Sequence, residues 1–393
     1  MTKTIDKGDG PLERAAGLED VIRSHADQAD RDCRLPEPVA RAFAETGLYR
    51  IAAPEDLSGL DADPMTQIRV IERVSSYDGS AGWNLMIGIE TFGLLAPGCV
   101  ACRDLIGDPM IIMSSSTAAV GRADREAAGS GRPAGYRVNG RWQFVSGCQN
   151  STVFGATVRL HENGEPVSQN VYAIVPAPDF EILQTWDVGG MRGSGSHDVQ
   201  VTDVWVPDSQ IVAPLGGAVS NSAQLRVPLG SRLAYNKVAV ALGLARAGID
   251  AFVALAEGKV PRFTSKSLRD RPSAQRAVAE AEVRVLASRA LVFELVEALW
   301  EKALEGAHIT TRERAIFQLA CSDAVRSSVT AVDLVSDAAG TTANQREHPL
   351  ERIGRDVRVV RQHVTVANHQ IDDVGRVLLG LPPEGLMLAG MRN

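Results

Sequence analysis

Histidine and serine residues near the ends of predicted elements are the side chains that could do chemistry in this sequence. Residues 349–379 read as one long helix, because they open with proline and their apolar residues recur every three or four positions. This helix carries His363 and His369, about 120° out of phase, so the two cannot chelate one metal ion. Histidine has an ordinary pKa of about 6.5 and exchanges protons near neutral pH. His363 is therefore a candidate acid–base residue, although a lone helical histidine is more often structural.

A second candidate is Ser146, which stands with Gly147 at the end of the predicted strand 141–145. A serine at a strand end is usually a turn residue. Its hydroxyl can also donate a hydrogen bond to the edge of a planar cofactor. The residues alone leave both interpretations open.

The glycine-rich stretch 189–198, GGMRGSGSHD, is similar in composition to a dinucleotide-binding fingerprint. That fingerprint needs a strand before it and a helix after it. Residues 198–206 alternate like a strand, which excludes a Rossmann site. A glycine-rich loop that approaches a ligand's phosphate or ring remains open.

Other patterns argue against a metal site and a nucleophilic triad. His348 and Glu351 lack the second Glu-x-x-His of a di-iron bundle, and Cys99 and Cys102 lack the second pair of a zinc site. The sequence has no G-x-S-x-G elbow. We therefore expect no metal.

Composition narrows the class of protein. The chain has 393 residues, a net charge of −7 and 45% hydrophobic residues, typical of a large globular protein. Because there is no basic block and no signal-like or 18-residue apolar run, we expect neither nucleic acid nor a membrane as a partner. Five cysteines, an odd number, favour reduced thiols and a cytoplasmic location.

Hydrophobic periodicity divides the chain into three parts. Helical patterns up to about residue 105 precede six strand patterns without intervening helices, and four long helical patterns follow. The predicted fold is α+β, with an N-terminal helical domain (11–107), a middle antiparallel β-barrel (108–213) and a C-terminal four-helix bundle (226–385). The predicted strands are 110–115, 135–145, 152–160, 170–175, 180–186 and 198–206, and the predicted bundle helices are 230–256, 272–304, 311–339 and 349–379.

This order, with several local motifs, resembles the acyl-CoA dehydrogenase superfamily over nearly the whole chain. The motifs are GRWQFVSG at 140–147, DVGGMRGSG at 187–195, DVWVP at 203–207, and Ala339-Gly340 followed by Pro349, Arg352 and Arg355-Asp356. The resemblance implies a flavin between the middle domain and the bundle, a homotetramer, and a Ser146 hydroxyl near the N5/O4 edge of the ring. The cofactor-binding residues that it implies are Ser116, Thr117, Trp142, Ser146, Arg262 and Gly340.

The last helix departs from the dehydrogenases of that family. They often continue the Arg-Asp pair into a Tyr-Glu-Gly-Thr-like segment whose glutamate is the catalytic base, whereas residues 357–365 contain no carboxylate and His363 stands near that position. The Ser-Gly pair, the Gly-Ser-His-Asp stretch and this histidine look more like the flavin-dependent monooxygenase branch. Its oxygenase components take reduced flavin (FAD, or FMN) from a separate reductase and form a C4a-hydroperoxide with O2.

The resemblance implies three catalytic residues. Ser146 would hydrogen-bond the N5 region, and His363 would act as a base or hydrogen-bond partner of the substrate. Related aromatic hydroxylases often carry a histidine shortly after a Gly-Trp pair, and here Glu90 follows Gly82-Trp83. Glu90 is either a polar group of the site or a helix surface residue. The first case favours an indole-like or nitrogen-bearing substrate over a simple phenol.

The sequence therefore predicts a two-component monooxygenase that hydroxylates a small aromatic or heteroaromatic molecule. The alternatives are an acyl-CoA dehydrogenase with a displaced base, an amine N-oxygenase, or a flavin-free member kept for binding.

Overall fold

The computed structural model describes residues 10–57, 59–99, 101–129, 131–213 and 221–389. These form two compact units. The first comprises 10–62, 84–188 and 192–225, and the second comprises 63–83, 189–191 and 226–389. The predicted domain boundaries at 107 and 226 stay predictions.

Helices and strands follow one another in three blocks. In chain order the helices are α1 (Pro11–Ala16), α2 (Glu19–Asp32), α3 (Glu37–Glu45), α4 (Pro64–Tyr77), α5 (Gly79–Leu95), α6 (Arg103–Ile106), α7 (Leu229–Gly258), α8 (Pro272–Glu305), α9 (Thr311–Ala339), α10 (Pro349–Gln362), α11 (His369–Leu378) and α12 (Leu386–Ala389). The strands are β1 (Met113–Glu126), β2 (Gly135–Val145), β3 (Val153–Glu162), β4 (Glu165–Pro176), β5 (Glu181–Leu183), β6 (His197–Pro207) and β7 (Ile211–Val212).

The first unit is built on a seven-stranded sheet in the order β5-β6-β2-β1-β3-β4-β7. Each of the six predicted strands overlaps an observed one, but the predicted antiparallel barrel is wrong. Strand β2 returns along one side of β1, and the chain then reverses to form β3 on the other side of β1. This double reversal makes β1 and β3 parallel and the sheet mixed. In the described pairings β5 and β7 are the edges, so the sheet stays open.

The second unit is organised around α7, which packs against α4, α9 and α10. In the described residues α7 is the one helix long and apolar enough to cross a membrane, and 61% of its apolar window is buried inside the protein. That burial is typical of a core helix in a globular unit. The predicted helices 230–256, 272–304 and 311–339 correspond closely to α7, α8 and α9.

The fourth predicted bundle helix, 349–379, is interrupted. Helix α10 ends at Gln362, the backbone of His363 is extended, and α11 begins at His369. Side chains bind the carbonyls between the two helices: Gln318 Nε2 donates to Thr365 O at 2.7 Å, and Gln370 Nε2 donates to Val364 O at 2.8 Å. These two carbonyls therefore keep hydrogen-bond partners where the chain leaves the helix.

Candidate active site

Ser146 lies directly after β2 in a cluster of three buried hydroxyls. Its Oγ is 2.7 Å from Ser196 Oγ, which is 2.7 Å from Ser194 Oγ. Gly147 N donates to Ser194 O at 2.9 Å and ties the end of β2 to the loop before β6. Ser146 and the predicted glycine-rich loop are thus brought together in the first unit.

Gly147 is required by the geometry of this turn. Its φ is +74°, a conformation that costs a residue with a Cβ free energy. An added Cβ would also lie 2.7 Å from Asn84 Oδ1. Asn84 Nδ2 in turn donates to Gly193 O at 3.2 Å. The Ser-Gly motif therefore combines a hydroxyl with the turn that orients it.

Phe144 is a candidate site residue that the sequence did not reveal. Its φ is +58° and its side chain is 70% exposed, an unusual combination for a bulky aromatic residue. Its ring meets Trp186 edge-on, with 6.2 Å between the centroids. An aromatic face thus lies two residues before Ser146 and is accessible to a flat ligand.

Trp142, a predicted cofactor-binding residue, lies in the core of the sheet. Its side chain is fully buried, packs on Phe154 and donates from Nε1 to Thr157 O at 2.9 Å. Its indole therefore exposes no surface to a ligand, and its role in the structure is to pack the core of the sheet. The β2–β6 register shifts between Trp142 and Val145, and the aromatic residue turned outward is Phe144.

His197 supports this aromatic pair from the buried side. Its Nδ1 accepts hydrogen bonds from Thr185 N at 3.1 Å and Trp186 N at 3.0 Å. Burial lowers the pKa of His197, so the ring is neutral and Nδ1 stays an acceptor. The histidine of the glycine-rich stretch thus holds the backbone of Trp186.

Ser116 and Thr117 lie where β1 is irregular. The β1–β3 register shifts between Ser116 and Gly121, and Thr117 is exposed there. Ser116 is buried, and its Oγ accepts a hydrogen bond from Ala118 N at 3.3 Å. The predicted flavin contacts of Ser116 and Thr117 stay predictions, as does the role of Glu90, which is half-buried on α5.

His363 caps the C-terminus of α10 in the second unit. Its ring meets Trp83 edge-on at 5.5 Å between centroids. Its Nδ1 lies 2.9 Å from Thr365 Oγ1 and accepts from Thr365 N at 3.4 Å. Burial, and secondarily the charge of Lys237, lowers the pKa of His363 to about 3.

The environment of His363 lowers its pKa well below the ordinary value of about 6.5 that the sequence suggested. The ring is neutral at physiological pH, because desolvation and a nearby cation both disfavour the imidazolium. The backbone N–H donated to Nδ1 favours the tautomer with its proton on Nε2. His363 is therefore better suited to donate a hydrogen bond than to act as a base. The other candidate, His369, is exposed at the start of α11.

The Arg-Asp pair of α10 holds the start of the glycine-rich stretch. Asp356 Oδ1 accepts from Met191 N at 2.6 Å, and Arg355 Nη1 donates to Gly189 O at 2.6 Å. Burial, followed by the charge of Asp78, raises the pKa of Asp356 to about 7. Sequence reasoning missed this contact, since 165 residues separate its partners.

Arg262 and Gly340 lie in two turns that Lys259 connects. Lys259 Nζ donates to Ala339 O and to Thr342 Oγ1, both at 2.6 Å. Arg262 is exposed in the turn after α7, and Gly340 ends α9 with a φ of +63°. Their predicted contacts with the cofactor stay predictions.

These groups fit a flavin. A planar ring with a hydrogen-bonding edge needs an apolar face and polar donors at its rim. The first unit supplies the exposed ring of Phe144, the hydroxyl of Ser146 and the irregular backbone after Ser116. The described residues contain no group of three or more histidine, cysteine, aspartate or glutamate side chains that could hold a metal ion.

Comparisons with known proteins agree with this description. Residues 15–97 match the model of the acyl-CoA dehydrogenase N-terminal domain, and 235–368 match that of the C-terminal domain. The chain is 30% identical to indole-3-acetate monooxygenase from Pseudomonas putida, covering 95% of each chain. It is also 30% identical to the flavin-dependent monooxygenase oxygenase subunit HsaA from Rhodococcus jostii, covering 90% of this chain and 93% of the relative.

A solved structure extends the similarity to the fold. The crystal structure of 3-HSA hydroxylase from a Rhodococcus species superposes with a TM-score of 0.85 at 26% identity, covering 97% of this chain and all of that one. The chain therefore belongs to the acyl-CoA dehydrogenase family, in the branch that contains the flavin-dependent monooxygenases.

Proposed function

We propose that this protein is the oxygenase component of a two-component, reduced-flavin-dependent monooxygenase. The observation that carries the proposal is the neutral, partly buried His363 after Arg355-Asp356, where a dehydrogenase of this family often has its glutamate base. A neutral imidazole with a pKa of about 3 is a poor base for a carbon acid. It suits a reaction in which the substrate needs a hydrogen bond more than a strong base.

The substrate is an aromatic or heteroaromatic small molecule, indole-like or phenol-like. Support comes from relatives over almost the full length, which include an indole-3-acetate monooxygenase and, at 26% identity, a resorcinol hydroxylase oxygenase component. Reduced FAD, or FMN, arrives from a separate flavin reductase and, when bound, supplies the activation of O2.

The residues of this chain bind the flavin, exclude water and orient the substrate. Ser146 donates a hydrogen bond to the flavin ring, and the Phe144–Trp186 pair provides an apolar surface that excludes water. His363 donates from Nε2 to an oxygen or nitrogen of the substrate and orients the atom to be hydroxylated.

Oxygen labelling tests the function. With a flavin reductase, NADH, FAD and ¹⁸O2, one labelled atom should enter an indole or phenol substrate and the other should leave as water. Omitting the reductase should abolish the product. An acyl-CoA that bleaches bound, oxidised FAD without air would instead identify a dehydrogenase. Label on an amine nitrogen would identify an N-oxygenase. Failure to bind flavin in either redox state would favour the flavin-free alternative, a protein kept for binding.

Replacing Phe144 by glycine should separate flavin affinity from stability. The dissociation constant for flavin should rise about fivefold, because an aromatic contact contributes roughly 1 kcal/mol. The free energy of unfolding should stay constant or increase by about 1 kcal/mol, since glycine adopts a positive φ without strain. Fluorescence titration and urea unfolding measure the two quantities. Val167→Ala, which shortens an exposed apolar side chain on β4, is the control. Unchanged flavin affinity in Phe144→Gly would remove this residue from the site.

Assembly and location belong to the same proposal. A homotetramer is supported by the exposed apolar side chains Val283, Leu286 and Leu291 on α8, which another copy of the chain could cover. A cytoplasmic location accords with a partner reductase that uses NADH.

A further inference from the structure

Thr365 contacts the ring of His363 through two of its groups. Thr365 Oγ1 lies 2.9 Å from His363 Nδ1, and Thr365 N donates to the same nitrogen at 3.4 Å. Thr365 is 3% exposed, so water satisfies little of the hydrogen-bonding capacity of its hydroxyl. Within the described part of the chain, the hydrogen-bond partner of that hydroxyl is His363 Nδ1.

These two contacts fix the direction of the hydrogen bonds. A backbone N–H can only donate, so His363 Nδ1 is an acceptor. The neutral imidazole carries one proton, which must then lie on Nε2. Because Nδ1 has no proton to give, the Thr365 hydroxyl donates to it, and this bond satisfies the buried hydroxyl proton.

The backbone that carries Thr365 is held on both sides. Val366 N and Ala367 N donate to His363 O at 3.0 and 2.9 Å and close the turn in which Thr365 lies. Gln318 Nε2, from α9, donates to Thr365 O at 2.7 Å. The direction of the His363 ring is therefore set by the protein before a substrate binds.

We propose that Thr365 is a positioning residue that holds the His363 ring with its Nε2 proton directed to the substrate. This inference rests on the proposed function, in which His363 donates to the substrate from Nε2. Half a turn of the ring about its Cβ–Cγ bond would put a carbon atom in place of each nitrogen and remove the donor. The Thr365 hydroxyl opposes this turn, because its proton would lose its acceptor. The bond received at Nδ1 also polarises the ring and strengthens the donor at Nε2.

A double-mutant cycle on hydroxylation tests this role. The ratio kcat/KM is measured with excess reductase for the wild type, Thr365→Val, His363→Ala and the double variant. Thr365→Val removes the hydroxyl, keeps the size of the side chain, and should lower kcat/KM about three- to tenfold. The double variant should equal His363→Ala, because Thr365 acts through His363.

Two further variants separate the hydroxyl from a general structural effect. Thr365→Ser keeps the hydroxyl and should restore most of the wild-type rate. Thr330→Val removes a threonine hydroxyl that donates to Arg326 O on α9, and it should leave the rate unchanged. The dissociation constant for reduced flavin should be the same in all these variants.

The protonation of the His363 ring can be measured without turnover. In ¹⁵N spectra of protein labelled at histidine, the signals of His363 are those that disappear in His363→Ala. In the wild type, Nε2 should carry the proton, and Nδ1 should be unprotonated and hydrogen-bonded. In Thr365→Val, the Nδ1 signal should move toward the position of a nitrogen without a hydrogen-bond partner, and in Thr365→Ser it should stay near the wild-type position.

Four results would overturn the inference. They are a proton on Nδ1 of the wild type, an unchanged kcat/KM in Thr365→Val, a further loss on adding Thr365→Val to His363→Ala, and a Thr365→Ser variant as impaired as Thr365→Val. If the wild type hydroxylates no indole or phenol substrate, the proposed function fails instead. The ¹⁵N spectra of the wild type then still decide whether Thr365 donates to His363.

Discussion

Replacing His363 by alanine should lower kcat/KM for hydroxylation about 10²- to 10³-fold and leave the dissociation constant for reduced flavin unchanged. The substitution removes one hydrogen-bond donor that points at the substrate in a site of low polarity. Removal of such a donor lowers the rate by about this factor. His363→Gln should recover part of the rate, because its amide nitrogen also carries a proton near the position of Nε2. Steady-state kinetics with excess reductase measures the rate, and anaerobic titration measures flavin binding.

The pH dependence separates a donor from a base. Since the pKa of His363 is lowered to about 3, the ring does not change charge between pH 5 and 8. The ratio of the wild-type rate to the His363→Ala rate should therefore be flat over this range. An inflection between pH 6 and 7 that disappears in His363→Ala would show that this residue titrates as a base.

His369 provides the matched control. It is the nearest other histidine in the sequence, and it is exposed at the start of α11. His369→Ala should hydroxylate at the wild-type rate. A loss comparable to that in His363→Ala would mean that the wrong histidine of the pair has been assigned.

Local patterns predicted the long helices well, because their signals are local. Helix α9 has its predicted bounds, and Thr310 and Glu313 form a capping box at its start. The order of the sheet could not be predicted in this way. Whether β3 joins β1 or β2 depends on pairing between distant segments, and the strand pattern is the same in both cases.

The sequence proposed candidate residues of the site by their type, and it could not give the orientation of their side chains. Ser146 was proposed from the Ser-Gly pair at a strand end together with the family resemblance, and the structure places its hydroxyl in a buried cluster of three. Trp142 was implied by the resemblance alone. An even period would put Trp142 and Phe144 on one face, but the register shift between Trp142 and Val145 leaves Phe144 exposed and Trp142 buried. His363 was identified, but its low pKa arises from tertiary burial and from Lys237, which lies in another helix.

The second large prediction concerns the effect of Asp356 on the free energy of unfolding. Its pKa is about 7 in the folded protein and near 3.8 in an unfolded chain, so the folded state binds the extra proton. For a raised pKa, the stabilising contribution is complete below pH 3.8 and is lost as the pH rises to about 7. The free energy of unfolding should fall over this range by up to about 4 kcal/mol from this group.

The Asp356→Asn substitution should abolish this pH-dependent fall in the free energy of unfolding. The amide is neutral at every pH, and its oxygen can still accept the hydrogen bond from Met191 N. The amide also removes the repulsion from Asp78, which contributes to the raised pKa. The variant should therefore become more stable relative to the wild type as the pH increases from 4 to 7, and the difference should be constant above pH 8.

Urea unfolding of the two proteins at several pH values measures this difference. Other titrating groups affect both proteins alike and cancel in the comparison. Asp179→Asn, at an exposed position after β4, should show a small difference from the wild type. If the Asp356→Asn difference is the same at pH 5 and pH 8, Asp356 is ionised throughout. The Arg-Asp pair would then hold Gly189 and Met191 as a charged cluster, in which the Asp356 carboxylate depends on Arg355 for compensation.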